Sequence, residues 1–144
     1  MFSDLELSRR LERAEGQANA RFVEARARRF PERGATWTDV AGAWAMFDGV
    51  ASPITQTFGL GLFDTVGDAE LDRLEDFFRT RGSPVFHEVS PLASGELWPM
   101  LHARGYRAFE FTSVLYRPIT ATHEPLNARS ARIRVRPVEP QEAR

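Results

Sequence analysis

The side chains best suited to move a proton are two neighbours, His87 and Glu88. They fall in a short run, residues 84–89, that reads as a strand. Adjacent strand residues point to opposite faces, so imidazole and carboxylate cannot act together on one group. Either alone could orient a water or an amine. The plainer reading carries more weight, because polar strand residues commonly meet solvent or a satisfied core. His102 falls on a short helix and His123 in a linker, so the histidines are too dispersed for a metal-ligand pattern. Asp48 precedes Gly49 and reads as a turn residue rather than a catalytic acid. The chain contains no Cys, which excludes disulfides, thiolate catalysis and cysteine metal sites. It contains no Lys either, which excludes a Schiff base or a lysine base. No nucleophile elbow, P-loop or dinucleotide fingerprint is present.

The chain must position these groups with 144 residues, the size of one compact domain. A hydrophobic fraction of 42% with 11 Phe and 3 Trp supports a sizeable core. The net charge of −1 gives no global field for nucleic acid or an anionic membrane. Arg21, Arg26, Arg28, Arg29 and Arg33 make a basic stretch with Phe22 and Phe30, but Glu24 and Glu32 interrupt it, and it reads as a solvated helix face. No apolar run approaches a membrane span, and the charged N-terminus lacks a signal-peptide core. The expectation is a soluble, cytoplasmic chain with neither nucleic-acid nor membrane partners.

Periodicity sets out the elements. Leu7, Leu11, Ala14, Ala18, Phe22 and Ala25 recur three or four apart and predict an amphipathic helix over residues 3–30, capped by Ser3 or Asp4 and ended by Pro31. Gly16 is a weak point within it. Residues 36–47 read as one strand carrying Trp37, Val40, Trp44, Met46 and Phe47. Asp48-Gly49 and Ser52-Pro53 signal a turn, and residues 54–62 read as a second strand, pairing antiparallel with the first. Gly59 and Gly61 inside it mark a bulge or a close approach. A helix follows over residues 68–81, with Leu71, Leu74, Phe77 and Phe78 on one stripe and Gly82 as its stop. After the strand 84–89 comes a helix over residues 94–104, with Pro99 in its first turn and Gly105 ending it. Residues 108–117 alternate and predict a strand. Residues 119–131 read as a linker, and residues 132–138 alternate again.

The stretch Gly95-Glu96-Leu97-Trp98-Pro99-Met100-Leu101-His102-Ala103-Arg104-Gly105-Tyr106, leading into residues 107–117, resembles the end of a GNAT N-acetyltransferase domain. There a last helix closes on Leu-Tyr-x-x-x-Gly-Phe and runs into a final strand. The whole order of elements over residues 3–118 resembles a shortened GNAT domain. Trp44-Ala45-Met46-Phe47-Asp48-Gly49, Ser52-Pro53, Gly59-Leu60-Gly61 and Arg104-Gly105-Tyr106 are similar to the degenerate amino-terminal half of tandem GNAT proteins. The resemblance implies an α+β fold with α/β layering, in which helices flank a mixed, mostly antiparallel central sheet. It divides the chain into a GNAT-like domain over residues 1–118, the linker, and, over residues 132–144, the start of a second GNAT-like domain or an edge strand. It implies acetyl-CoA as cofactor, a small amine as acceptor for the whole protein, and a second GNAT-like domain or a homodimer mate as partner.

Two departures separate this chain from a working member. The family's phosphate-binding turn, Arg/Gln-x-x-Gly-x-Gly/Ala, is matched by Phe63-Asp64-Thr65-Val66-Gly67-Asp68-Ala69-Glu70-Leu71-Asp72, with no arginine, one glycine and four acids. Leu101 stands where the family has its proton-donating tyrosine. The leading expectation is a non-catalytic half that packs on a catalytic one and shapes its acceptor site. An alternative is an active stand-alone acetyltransferase, in which Phe58, Gly59, Leu60 and Gly61 hold pantetheine, Glu88 takes the amine proton and Tyr106 or Tyr116 serves as acid. A third is a small-ligand or protein-binding module without an open groove between diverging strands.

Overall fold

The computed structural model describes residues 4–117 and Arg136. The chain divides into two units, residues 1–108 and residues 109–144. In the first, the described residues form three α-helices and a three-stranded antiparallel sheet, an α+β arrangement.

Helix α1 runs Leu5–Arg29. Asp4 Oδ1 accepts the Leu7 N–H at 2.8 Å, the N-cap that the sequence offered. Pro31 opens a single 3₁₀ turn, Pro31–Arg33, beyond its end. The buried face is not the expected one. Ser8, Gly16, Ala20 and Val23 are covered, whereas Ala14, Ala18 and Ala25 are exposed and Phe22 keeps 50% of its surface. The reason is volume. The sheet presents Trp37, Trp44, Met46 and Phe58 to α1, and only small helix residues leave room for them. A Cβ on Gly16 would lie 2.5 Å from Trp44 Cε3. The expected weak point is therefore the seat of an indole.

The predicted strand over residues 36–47 is two strands, β1 (Thr36–Val40) and β2 (Ala43–Phe47). Ala41 and Gly42 take φ of 53° and 75° and turn the chain in two residues, the left-handed pair that suits the twist of a hairpin. Asp39 Oδ1 accepts the Gly42 N–H at 3.3 Å and braces the turn. An Ala-Gly pair is a poorer turn signal than Asn-Gly, and the hairpin hid behind it. The second predicted strand, residues 54–62, shrinks to β3 (Thr57–Phe58), antiparallel to β2 with Trp44 opposite Phe58 and Ala45 opposite Thr57. Gly59 and Gly61, at φ of 74° and 73°, then lead the chain off the sheet. The sheet order is β1-β2-β3.

Helix α2 (Asp68–Arg79) carries Leu71, Leu74 and Phe78 onto the other face of the sheet, against Val40, Ala43 and Ala45. Helix α3 (Leu97–Ala103) adds Leu97 and Leu101 to the same core. Gly105 at φ 85° closes it, and the Tyr106 N–H reaches back to the Leu101 carbonyl at 3.0 Å, as the glycine stop predicted. The sheet thus has α1 on one face and α2 with α3 on the other.

Residues 84–89 do not form the expected strand. They contribute one parallel bridge, His87 to Thr57, through Thr57 N–H to Phe86 carbonyl at 3.0 Å and Glu88 N–H to Thr57 carbonyl at 2.8 Å. Residues 108–117 were also expected as a strand and have no regular secondary structure. Phe111 and Leu115 are each 92% exposed. Alternation selects a face only where a neighbouring ladder and a core supply one. The linker 119–131 and the predicted strand 132–138, Arg136 apart, lie outside the described residues.

Candidate functional site

The Thr57–His87 bridge gathers the polar chemistry of the first unit on two opposite faces. Thr57 pairs with Ala45, whose side chain packs on the α2 side, so Thr57 and His87 share that face. The His87 ring lies 4.9 Å from the Tyr106 ring at 55°. Both of its nitrogens, and Thr57 Oγ1, are shielded from solvent without a hydrogen-bond partner. Burial pulls the imidazole down to about 4, against the opposite pull of Glu75. Tyr106 donates its hydroxyl proton to Glu75 Oε1 at 3.2 Å. Burial, and then the Glu75 charge, push the phenol up to about 12.

Glu75 is the anchor of this face. It is 5% exposed and also meets Arg79 at 2.8 Å and Arg104 at 3.2 Å. Arg104 extends the network to Asp68 Oδ1 at 2.7 Å and Asp72 Oδ1 at 2.6 Å. The Asp68 bond, then the Asp72 bond, hold the guanidinium above its ordinary pKa. Asp68 and Asp72 at the start of α2, and Glu75 farther along it, are thereby tied to Arg104 at the end of α3. The Gly67 N–H, an orphan donor at the start of α2, goes to Glu70 Oε2 at 3.0 Å.

The α1 face carries a carboxylate pair. Glu88 accepts from Gln56 Nε2 at 3.4 Å. Glu12 lies one turn from Ser8 and from Gly16 on the covered side of α1. Burial first, then the charges of Glu88 and Glu15, push Glu12 up to about 7, while the Gly59 backbone amide opposes the rise. Its Oε2 is shielded and unpaired. A carboxyl group poised near neutrality can take or give a proton at physiological pH.

The expected site residues therefore separate. Glu88 and Gly59 come together around Glu12. Tyr106 works on the opposite face with Glu75 and His87, so Glu88 and Tyr106 do not form an acid–base pair. Tyr116 belongs to the second unit. Phe58 and Leu60 are core residues, 2% and 0% exposed. Gly61 presses on α3: a Cβ there would lie 2.8 Å from Leu97 Cδ2 and 3.5 Å from Ala93 Cβ. The Ser94 N–H donates to the Gly61 carbonyl at 3.1 Å. The space beside the glycine segment is thus filled by protein.

Sequence reasoning missed Glu12, Glu75 and Arg104. Glu12 had one available signal, its i,i+4 spacing with Ser8 and Gly16, visible once small residues are read as the covered face. Three arginines of the basic stretch are spent locally. Arg26 pairs with Asp48 at 2.9 Å, and Arg26, Arg29 and Arg33 surround the Phe30 ring at 5.3–5.6 Å. An open cleft of about 440 Å³ lies beside the hairpin tip, where Arg13 stacks over Phe63 at 5.1 Å and Trp44 meets Phe63 edge-on.

Among the described residues no group of three or more His, Cys, Asp or Glu side chains is placed to hold a metal ion. No described helix is long and apolar enough to cross a membrane. No protein-family model, curated protein or solved structure matches the chain.

Proposed function

We propose that this chain is a non-catalytic GNAT-like domain that packs on a catalytic partner domain and shapes its amine-acceptor site. The observation that carries the reading is the start of α2. A polyphosphate needs free backbone N–H groups and an uncompensated helix N-terminus. Here the Gly67 N–H is taken by Glu70, and Asp68 and Asp72 are bound to Arg104. Their charge, with that of Glu70 and Asp64, repels phosphate. Leu97 and Ala93 against Gly61 occupy the room a pantetheine arm would need. The single parallel bridge beside an antiparallel sheet, with α1 on one face and α2 on the other, is consistent with a reduced GNAT layout.

Calorimetric titration of acetyl-CoA into the whole chain tests this. The expected result is binding weaker than about 1 mM, or none. Micromolar binding refutes the reading.

One observation favours an active acetyltransferase instead, namely Glu12 held near neutrality beside Glu88. In that reading Glu12, rather than Glu88 alone, takes the amine proton. Acetylation of any member of an amine panel, lost in Glu12→Gln, would support it.

A further inference from the structure

We propose that the free edge of β1, with the groove it forms against α2, docks an extended acidic segment of a partner protein by strand addition. The surface does not depend on the acetyl-transfer reading. β1 ends the sheet order, so among the described residues one side of it has no ladder. The two-residue turn decides which backbone groups face that side. Val40 and Ala43 close the hairpin as a hydrogen-bonded pair, and Thr38 with Ala45 and Thr36 with Phe47 follow in phase. Trp37 and Asp39 therefore direct their N–H and carbonyl groups outward. The far side of β2 has the same phase, since the alternate residue Met46 donates its N–H to the Gln56 carbonyl at 3.0 Å. Among the described residues no backbone bond from outside the β1–β2 ladder reaches the four outward groups of Trp37 and Asp39.

The groove along this edge is about 390 Å³. Thr36, Thr38 and Val40 form one wall, and Arg73, Phe77 and Arg81 the other. Trp37 and Asp76 complete it. Thr36 to Val40 spans about 13 Å at strand rise. On the opposite wall Arg73 and Phe77 lie one turn apart on α2, and Arg81 follows just beyond its C-cap Thr80. Phe77 is half-buried, and the Arg81 guanidinium lies 4.1 Å over its ring and donates to the Phe77 carbonyl at 2.6 Å. Arg73 and Arg81 are exposed, and neither pairs with a carboxylate among the described residues.

This spacing defines the occupant. A strand paired to Trp37 and Asp39 presents every second side chain to α2. Acids on that face meet the two cationic heads, Arg73 and the Arg81 guanidinium that covers the Phe77 ring, and an apolar residue between them packs along the groove. Asp76 is the one acid on that wall and reduces the net positive charge. A second copy fits less well. Antiparallel pairing of β1 with itself about Thr38 brings the Arg73 and Arg81 of both copies onto one face, like against like. The chain's own alternating run at residues 132–136 carries Arg132, Arg134 and Arg136 and has the same sign.

The test is backbone amide hydrogen exchange, read by NMR on the full chain. The probe is a blocked peptide with a valine between two glutamates at i, i+2 and i+4, and the control peptide has lysines in place of the glutamates. The expected result is that the Trp37 and Asp39 amides slow by about tenfold or more with the glutamate peptide only, as new ladder bonds require. Arg73→Glu with Arg81→Glu, both at exposed positions, should remove the effect, and Asp76→Asn should strengthen it. Equal protection by both peptides, or protection by neither, overturns the proposal. Protection in the free protein that rises with its own concentration overturns it in favour of a second copy.

Discussion

Replacing Gly16 by alanine sets two physical effects against each other. In an exposed helix interior, Gly→Ala stabilises by about 0.8–1 kcal/mol through helix propensity. At Gly16 the added Cβ would lie 2.5 Å from Trp44 Cε3, 2.6 Å from Cδ2 and 3.1 Å from Cε2. Ordinary carbon contacts begin near 3.5 Å, so the methyl overlaps the six-membered ring by roughly 1 Å. The indole has no easy retreat, because Phe63 meets it edge-on with ring centroids 5.5 Å apart and Phe58 sits opposite it in the ladder. Overpacking of this kind costs about 1–3 kcal/mol, and the depth of overlap places it near the top of that range. The net expectation is a loss of about 2 kcal/mol. Urea unfolding followed by circular dichroism measures it. In a Trp44→Phe background the indole's second ring is gone, and the same Gly16→Ala change should become neutral or stabilising. A higher unfolding midpoint for Gly16→Ala in the otherwise native chain would refute the packing of α1 on the sheet through its small residues.

Stability should respond to pH through two opposed groups. His87 is held down at about 4 from an ordinary 6.5, so its neutral form stabilises the fold above pH 6.5, and that contribution is lost as pH falls toward 4. Glu12 is raised from 4.5 to about 7, so its protonated form stabilises the fold below pH 4.5, and that contribution is lost as pH rises through 7. Each displacement is worth at most about 3 kcal/mol. Between pH 4.5 and 6.5 their slopes oppose each other in the native chain. Chemical unfolding across this range should show stability falling with pH in His87→Phe and rising with pH in Glu12→Gln; parallel profiles for both variants would contradict the assignment. Ala41 holds φ 53°, a conformation that asparagine tolerates better, so Ala41→Asn should raise stability by about 0.5–1 kcal/mol in the same assay.

Several parts of this molecule were legible in the chain itself. The limits of α1 follow from Asp4 and Pro31, the stripe of α2 from Leu71, Leu74 and Phe78, and the end of α3 from Gly105. Each of these signals acts within about one turn of helix, so a linear reading captures it. The antiparallel pairing of residues 43–47 with 57–58 was visible through the turn residues between them, and so was the α+β class. The hairpin inside residues 36–47 was not, because Ala41 is an ordinary residue that the paired strands hold in a left-handed conformation.

The larger misreadings share one cause. Leu11, Phe22 and their neighbours are the apolar residues of α1, yet Gly16, Ala20 and Val23 face the sheet. Which face is covered depends on the volume that Trp44 and Phe58 bring from the opposite side. The same holds for Glu12, whose chemistry exists only because Glu88 and the Gly59 backbone arrive from other parts of the chain. Residues 84–89 and 108–117 have the composition of strands, but a strand exists only where another chain segment completes its hydrogen bonds. Caps, stops and periodicity were thus decided locally by the sequence. Helix face, strand pairing and the perturbed acids were decided only by tertiary structure, because each depends on the volume, charge or hydrogen-bonding groups of residues distant in the chain.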